Sequence, residues 1–115
     1  MKNIHEKIKV YLEQKAGISC IREHHFYKGN LNANSVVVDL GANKGDFSKG
    51  INNEFHCKIY AVEPAPALFC QIPETDTIKK SNHAISGENG PTALYLSDNP
   101  EANTIEPYLQ YHLSL

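Results

Sequence analysis

Residues 36–46 read Val-Val-Val-Asp-Leu-Gly-Ala-Asn-Lys-Gly-Asp, a short apolar run that ends in an acid and opens directly into a glycine-containing turn. Three consecutive β-branched residues are typical of a strand buried on both faces of a parallel sheet. Gly41 and Gly45 can adopt backbone angles that a side chain would forbid. The stretch therefore predicts the strand, turn and helix start of a nucleotide-type cofactor site.

A second apolar run, residues 58–62, ends at Glu63, about 20 residues beyond the first glycine. In a βαβ unit, an acid at this spacing can bind the hydroxyls of a ribose, and charged acceptors make the stronger hydrogen bonds. Glu63 is therefore the strongest single candidate for ligand binding. The alternative is a surface acid near the N-terminus of the helix that follows Pro64.

The remaining sequence predicts elements around this unit. An apolar stripe containing Ile4, Ile8 and Tyr11 predicts an amphipathic helix over residues 3–16 that lies against the sheet. Residues 18–35 are interpreted as a connecting segment with an extended piece near residues 18–21.

Downstream of the turn, the i, i+4, i+8 spacing of Phe47, Ile51 and Phe55 predicts a helix over residues 46–55. Residues 64–72 predict a short helix, and residues 77–85 predict a third strand that runs into a polar loop. Residues 92–97 predict a further strand in an antiparallel excursion. The chain is interpreted as one domain with a lead-in (1–35), a βαβαβ core (36–97) and a tail (98–115).

Composition excludes several partner classes. A net charge of -2 over 115 residues gives no electrostatic footprint for nucleic acid or an acidic membrane. No apolar stretch approaches the roughly 20 residues of a membrane span, and the N-terminus lacks a signal-peptide core, so we expect a cytoplasmic protein. The adjacent pairs His24-His25 and His56-Cys57 lack the spacing that focuses ligands on one ion, so no metal site is predicted.

Four segments, in order, resemble the S-adenosylmethionine-dependent methyltransferases of the FkbM family. Residues 38–48 are similar to the family's Asp-x-Gly-Ala-Asn-x-Gly-x-Phe-Ser/Thr loop, and residues 59–64 to its strand ending in Glu-Pro. Residues 82–86 are similar to its Asn-x-Ala-hydrophobic segment, and residues 90–97 to its Gly-x-x-x-hydrophobic-Tyr piece. The similarity runs from about residue 36 to residue 104.

The resemblance implies an α/β, Rossmann-like class I methyltransferase sheet that binds S-adenosyl-L-methionine and transfers its methyl group to an acceptor hydroxyl on a small molecule or glycan. The catalytic base is not identified. The implied cofactor-binding residues are Asp39, Gly41, Ala42, Asn43, Gly45, Phe47, Glu63, Pro64, Asn82, Ala84 and Ile85.

Individual roles follow from this resemblance. Asp39 would orient the glycine loop or reach the cofactor's amino group through water, and the alternative is an acid that only fixes the loop. Asn82, or the backbone near it, would hydrogen-bond the edge of the adenine, and Ile85 would pack on its ring. Gly41 would admit the methionine part, and Gly45 would allow the following helix to pack tightly.

The chain also departs from the family pattern, because the Lys-Ile-Asp-x-Glu-Gly run of a further parallel strand does not occur. We therefore expect a truncated sheet that corresponds to the N-terminal portion of a longer enzyme. One alternative is a non-catalytic cofactor-binding or self-associating module, in which the exposed edge of strand 36–40 forms a homodimer. Another is an NAD-dependent oxidoreductase, which Asn43 at the middle glycine position disfavours.

Overall fold

A computed structural model describes residues 1–99 and 103–105 of the chain. The described part contains three helices and five strands. The helices are α1 (Ile4–Lys15), α2 (Asp46–Phe55) and α3 (Pro66–Phe69), and the strands are β1 (Ile18–Ile21), β2 (His24–Tyr27), β3 (Val36–Leu40), β4 (Lys58–Val62) and β5 (Ile78–Ser81).

Strands β3, β4 and β5 form a parallel sheet in that spatial order. Val37 lies opposite Ile59, and Ile59 lies opposite Ile78, so these side chains share one face. Helix α2 connects β3 to β4 and packs on that face. The predicted α/β class with a parallel sheet is confirmed, and α2 and β4 have the predicted bounds.

The core lies between α2 and the sheet. Ile51 of α2 and Ile59 of β4 are at most 1% exposed. Burying an isoleucine side chain stabilises a fold by about 1.5–3 kcal/mol, so this layer holds α2 on the sheet. The remaining buried apolar members of the cluster are Ala42, Cys57, Ala61, Ile72 and Ile78.

The opposite face of the sheet, which we call the open face, carries exposed apolar side chains. Val36, Val38 and Leu40 of β3 are 60%, 59% and 57% exposed, and Tyr60 of β4 is 45% exposed. The prediction that β3 is buried on both faces is therefore wrong for the described residues, since only one face is covered by a helix.

The predicted connecting segment 18–35 contains an antiparallel hairpin of β1 and β2. The extended piece predicted near residues 18–21 is confirmed as β1, whereas β2 was not predicted. The turn residues of the hairpin, Arg22 and Glu23, both have positive φ angles, 50° and 67°. The hairpin packs closely on α2: a Cβ placed at Gly50 would lie 2.8 Å from Cγ2 of Ile21. Gly50, which weakens the helix intrinsically, therefore makes room for the hairpin.

Helix α1 forms where the sequence predicts it, with a capping box between Asn3 and Glu6. Its apolar stripe is nevertheless exposed, with Ile4, Ile8, Tyr11 and Leu12 all at least half accessible. The expectation that this stripe packs on the parallel sheet is wrong, because α1 packs beside β1 of the hairpin.

Downstream elements are shorter than predicted. Helix α3 covers four residues of the expected 64–72, and β5 covers four of the expected 77–85. The described part of segment 92–97 forms no strand and contributes one antiparallel bridge, between Tyr95 and Thr104. Most of the predicted tail, 98–115, lies outside the described residues. None of the described helices is long and apolar enough to cross a bilayer.

Candidate functional site

A cleft of about 1320 Å³ lies at the carboxyl ends of β3 and β4. This is the edge at which open α/β sheets bind their ligands. The cleft is lined from three directions: by the loop after β3, by the segment after β4, and by the turn of the β1–β2 hairpin.

The loop after β3 is built on its own backbone hydrogen bonds. The amides of Gly41 and Ala42 both donate to the carbonyl of Val62 at 2.9 Å, which fixes the loop to the end of β4. Gly41 and Gly45 have φ angles of 75° and 88°, which favour glycine. Asn43 also has a positive φ of 55°, a conformation that asparagine tolerates better than most residues.

Gly41 and Gly45 have different surroundings. A Cβ at Gly41 would meet no atom within 4 Å, so the backbone there is open to a ligand in the cleft. A Cβ at Gly45 would lie 3.3 Å from Cγ2 of Ile72, against the segment that follows α3. Gly45 therefore allows the segment after α3 to pack closely against the start of α2.

Glu63 lies at the end of β4 and is only 6% exposed. Its Oε2 accepts a hydrogen bond from the amide of Asn43 at 2.8 Å, and its Oε1 accepts one from the amide of Ala65 at 2.9 Å. A carboxylate has about four acceptor positions, so both oxygens retain capacity toward the cleft. Glu63 thus joins the two loops, a structural role that the sequence did not predict, and also lines the cleft.

Asp39 lies at the end of β3, and its Oδ2 accepts a hydrogen bond of 2.6 Å from Oγ of Ser48 in α2. Ser48 is buried, so this bond fixes the strand to the helix at the floor of the cleft. The contact is to the helix and not to the glycine loop, so the loop-fixing role of Asp39 stays a prediction. Asp39 also lines the cleft, which keeps the ligand-linked role as a prediction.

Phe47, at the first turn of α2, lines the cleft. Its ring makes edge-to-face contacts with His24 and Phe26 of the hairpin, with ring centroids 5.8 Å apart in both cases. Such aromatic pairs add about 0.5–1.5 kcal/mol beyond area burial. Phe47 therefore positions the hairpin wall of the cleft.

The residues predicted to bind the adenine fall into two groups. Asn82 hydrogen-bonds the segment after β4, and Ala84 and Ile85 line a cavity. The side-chain amide of Asn82 donates to the carbonyls of Glu63 and Pro64, at 2.8 and 3.0 Å, and so fixes the position of the segment after β4. Ala84 and Ile85 line a second cavity of about 260 Å³, which shares Gly41 and Pro64 with the cleft.

Most of the predicted site residues therefore come together. Seven line the main cleft, and two line the adjoining cavity. Gly45 and Asn82 line neither cavity but contact the segments that do, Gly45 by packing and Asn82 by hydrogen bonds. The seven are Asp39, Gly41, Ala42, Asn43, Phe47, Glu63 and Pro64.

The sequence analysis missed the hairpin wall, where Arg22, Glu23 and His24 line the cleft. Nη1 of Arg22 lies 2.8 Å from Oδ2 of Asp46 at the start of α2. A hydrogen bond from Lys49 lowers the pKa of Asp46 below its ordinary value, and the nearby charges of Arg22, Lys49 and Lys44 act in the same direction. The apolar residues Ile21 and Phe26 on either side of the turn are a weak sequence signal for this wall, because no glycine marks the turn between them.

Within residues 1–99 and 103–105, no group of three or more histidine, cysteine or acidic side chains could hold a metal ion.

No protein-family model matches the chain, and no curated protein matches it. Several solved structures align with part of it, including two provisionally assigned methyltransferases. One is a protein of Anabaena variabilis provisionally assigned as a methyltransferase of an antibiotic biosynthesis pathway, with 29% identity and a TM-score of 0.44 over 48% of this chain and 22% of that chain. The other is provisionally assigned as a type II methyltransferase of Anaeromyxobacter dehalogenans, with 22% identity and a TM-score of 0.38 over 43% of this chain and 20% of that chain. Each alignment spans about one fifth of the other protein, and the FkbM resemblance stays a prediction.

Proposed function

We propose that this chain provides the S-adenosylmethionine half-site of an FkbM-type methyltransferase, which transfers a methyl group to an acceptor hydroxyl on a small molecule or glycan. One observation carries the proposal: the Glu63 carboxylate and the open backbone of Gly41 line the same cleft, at the ends of adjacent parallel strands. A ribose and an amino-acid group could bind there together.

The charge of the cleft suits this cofactor. S-adenosylmethionine supplies a methyl group on a positively charged sulfonium, and it also carries an ammonium group. Asp39 and Glu63 both line the cleft and favour positive charge nearby. Glu63 would accept hydrogen bonds from the ribose hydroxyls, Gly41 and Ala42 would adjoin the methionine part, and Ile85 would pack against the adenine.

The backbone amides of the loop argue against a dinucleotide. A pyrophosphate needs free amides at the turn and the helix start. Here five consecutive amides already donate within the protein: Gly41 and Ala42 to Val62, Asn43 to Glu63, Lys44 to the Asn43 side chain, and Gly45 to Ala42. The NAD-dependent alternative would require this loop to rearrange.

Catalysis would come mainly from holding the methyl donor and the acceptor hydroxyl in line, with a base to take the hydroxyl proton. We assign that base to no residue of the described chain.

Calorimetric titration of the 115-residue chain with S-adenosylhomocysteine tests the proposal, with NADH as the control ligand. We expect saturable binding of S-adenosylhomocysteine and none of NADH. Two variants probe different parts of the site: Glu63→Gln changes the ribose acceptor, and Ile85→Glu puts a charge on the apolar wall. Each should weaken binding at least about tenfold, the equivalent of about 1.4 kcal/mol.

Leu96→Glu is the matched control, because Leu96 is a similarly exposed apolar residue outside both cavities. Thermal unfolding of each variant separates lost binding from lost structure, since Glu63 also supports two loops. Binding of NADH alone would favour the oxidoreductase. Binding of neither ligand would overturn the proposal and leave a non-catalytic module.

A further inference from the structure

The turn between β1 and β2 contributes Arg22 and Glu23 to the lining of the cleft. Both residues have positive φ angles, 50° and 67°, in a two-residue turn where glycine and asparagine are favoured. Other residues are strained in this conformation, and such strain is concentrated at active sites and ligand-binding sites. An arginine and a glutamate at these positions are therefore better explained by a ligand than by the turn itself.

The proposed cofactor has one charged group that the acids of the cleft do not accommodate. S-adenosylmethionine carries a carboxylate on its methionine part, besides the sulfonium and the ammonium group. Asp39 and Glu63 favour the two positive charges and disfavour the carboxylate. The backbone amides of residues 41–45 already donate within the protein, so the glycine loop has none left for it. The carboxylate therefore needs a cationic side chain.

Two side chains that are cationic at neutral pH line the described part of the cleft, those of Arg22 and Lys44. Nη1 of Arg22 lies 2.8 Å from Oδ2 of Asp46, whereas Nζ of Lys44 lies 3.9 Å from the same oxygen. Asp46 therefore fixes the guanidinium more closely than the ammonium. A guanidinium has five donors and matches a carboxylate with two parallel hydrogen bonds, so Arg22 can bind Asp46 and a ligand carboxylate together.

We propose that Arg22 binds the carboxylate of the methionine part of S-adenosylmethionine, and that Asp46 holds the guanidinium in position. This role rests on the proposed function, which supplies the carboxylate. Gly41 adjoins the methionine part at the end of β3, and Arg22 contacts it from the hairpin turn. Glu63 then recognises the ribose and Arg22 the amino-acid end, so the site is specific for a cofactor with a free carboxylate.

Calorimetric titration of the full chain with two matched ligands tests this role. S-adenosylhomocysteine carries the carboxylate, and its decarboxylated form lacks only that group and keeps the adenosine, the sulfur and the ammonium group. Wild type should bind S-adenosylhomocysteine at least about tenfold more tightly than the decarboxylated form, as expected for a hydrogen bond between charged groups. In Arg22→Asn the two ligands should bind equally.

The substitution Arg22→Asn separates ligand binding from folding. Asparagine suits the positive φ of residue 22, so the hairpin turn should be kept, and thermal unfolding without ligand should show a folded chain. The affinity for the decarboxylated ligand should change by less than about twofold, because that ligand makes no contact with the guanidinium. Arg22→Gln, which keeps most of the length of the side chain, should give the same pattern.

Lys49→Gln is the matched control. Nζ of Lys49 lies 3.1 Å from Oδ1 of Asp46, but Lys49 does not line the cleft. The substitution removes one positive charge beside the same acid, as Arg22→Gln does. It should leave the preference for the carboxylate ligand unchanged.

Four results would overturn the role of Arg22. The first is a preference for the carboxylate ligand that persists in both Arg22 variants, which would leave the proposed function intact. The second is equal weakening of both ligands, which means that Arg22 acts only through the hairpin. The third is an equal loss of preference in Lys49→Gln, which means that only the net charge matters. The fourth is a wild type that binds neither ligand, which would also overturn the proposed function.

Discussion

The two faces of the β3–β4–β5 sheet are made of similar residues and have opposite environments. On one face, Ile59, Ala61 and Ile78 are at most 2% exposed beneath α2 and the segment around Ile72. On the open face, Val36, Val38 and Leu40 are more than half exposed. The difference shows that a run of β-branched residues predicts a strand, while the connecting helix decides which side is buried.

The two faces of the sheet also differ in the hydrogen bonds of their polar side chains. On the covered side, Asp39 bonds Ser48, Glu63 bonds two backbone amides, and Asn82 holds the segment behind them. No buried side-chain nitrogen or oxygen atom among the described residues lacks a partner. Since an unpaired buried polar group costs about 1–3 kcal/mol, this network holds the cleft in one arrangement. The open face carries exposed apolar side chains instead.

The largest expected effect contrasts two neighbours on β4. Ile59→Ala should lower the free energy of unfolding by about 2–5 kcal/mol, because it removes a fully buried side chain and leaves a cavity. Tyr60→Ala, on the open face, should cost clearly less, about 1 kcal/mol, mainly through lost strand propensity. Urea unfolding at low micromolar concentration measures both. Equal costs would show that the open face is covered in solution.

The next largest effect concerns Glu63. Glu63→Gln places an NH₂ group against the amide of either Asn43 or Ala65, so one buried donor loses its acceptor. We expect a loss of about 1–3 kcal/mol in the free energy of unfolding without any ligand. Glu88→Gln, at an exposed position, is the control and should change stability by less than about 0.5 kcal/mol. An unchanged stability in Glu63→Gln would mean that the two loops are held by other contacts.

A smaller effect tests the packing of the hairpin on α2. Gly50→Ala gains about 1 kcal/mol of helix propensity, but its Cβ would lie 2.8 Å from Cγ2 and 3.0 Å from Cδ1 of Ile21. We expect the steric crowding to outweigh the gain in helix propensity, so the variant should lose about 1 kcal/mol in the free energy of unfolding. In an Ile21→Ala background the same change should stabilise the protein, because the clashing atoms are absent. The same sign in both backgrounds would contradict this packing.

The sequence predicted the covered side of the fold well. Phe47, Ile51 and Phe55 mark one face of α2, and its bounds agree with the structure. The hairpin was missed because its turn uses Arg22 and Glu23 at positive φ, where a two-residue turn usually has asparagine or glycine. The exposure of the open face was missed because composition does not reveal which helices cover a strand.

For the candidate site, sequence spacing brought Gly41 and Glu63 to one cleft. It did not predict that Glu63 accepts the Asn43 amide, because that contact depends on how two loops 20 residues apart meet. The Asn82 side chain, or the backbone near it, was predicted to hydrogen-bond the adenine, and in the structure the side chain donates to the carbonyls of Glu63 and Pro64. Residue type predicted hydrogen bonding in each case, and tertiary packing decided the partner.

The smallest expected effect is a pH dependence of the free energy of unfolding, which arises from the ion pair between Arg22 in the hairpin turn and Asp46 in α2. Oδ2 of Asp46 lies 2.8 Å from Arg22, and Oδ1 lies 3.1 Å from Lys49. The Lys49 hydrogen bond and the neighbouring positive charges lower the pKa of Asp46 in the folded state. A lowered pKa means that the stabilisation is present above the ordinary pKa of about 3.8 and is lost as the pH falls through the folded-state value.

Wild type should therefore exceed Asp46→Asn in stability at pH 7 by a few tenths to about 1 kcal/mol, since these ion pairs are partly exposed. This difference in stability between wild type and Asp46→Asn should become smaller below pH 4. It should also become smaller at high salt, because salt screens exposed charges. Thermal unfolding at pH 7 and pH 3 measures it, with exposed Asp76→Asn as the control. A stability difference between wild type and Asp46→Asn that is as large at pH 3 as at pH 7 would mean that Asp46 acts through packing and not through its charge.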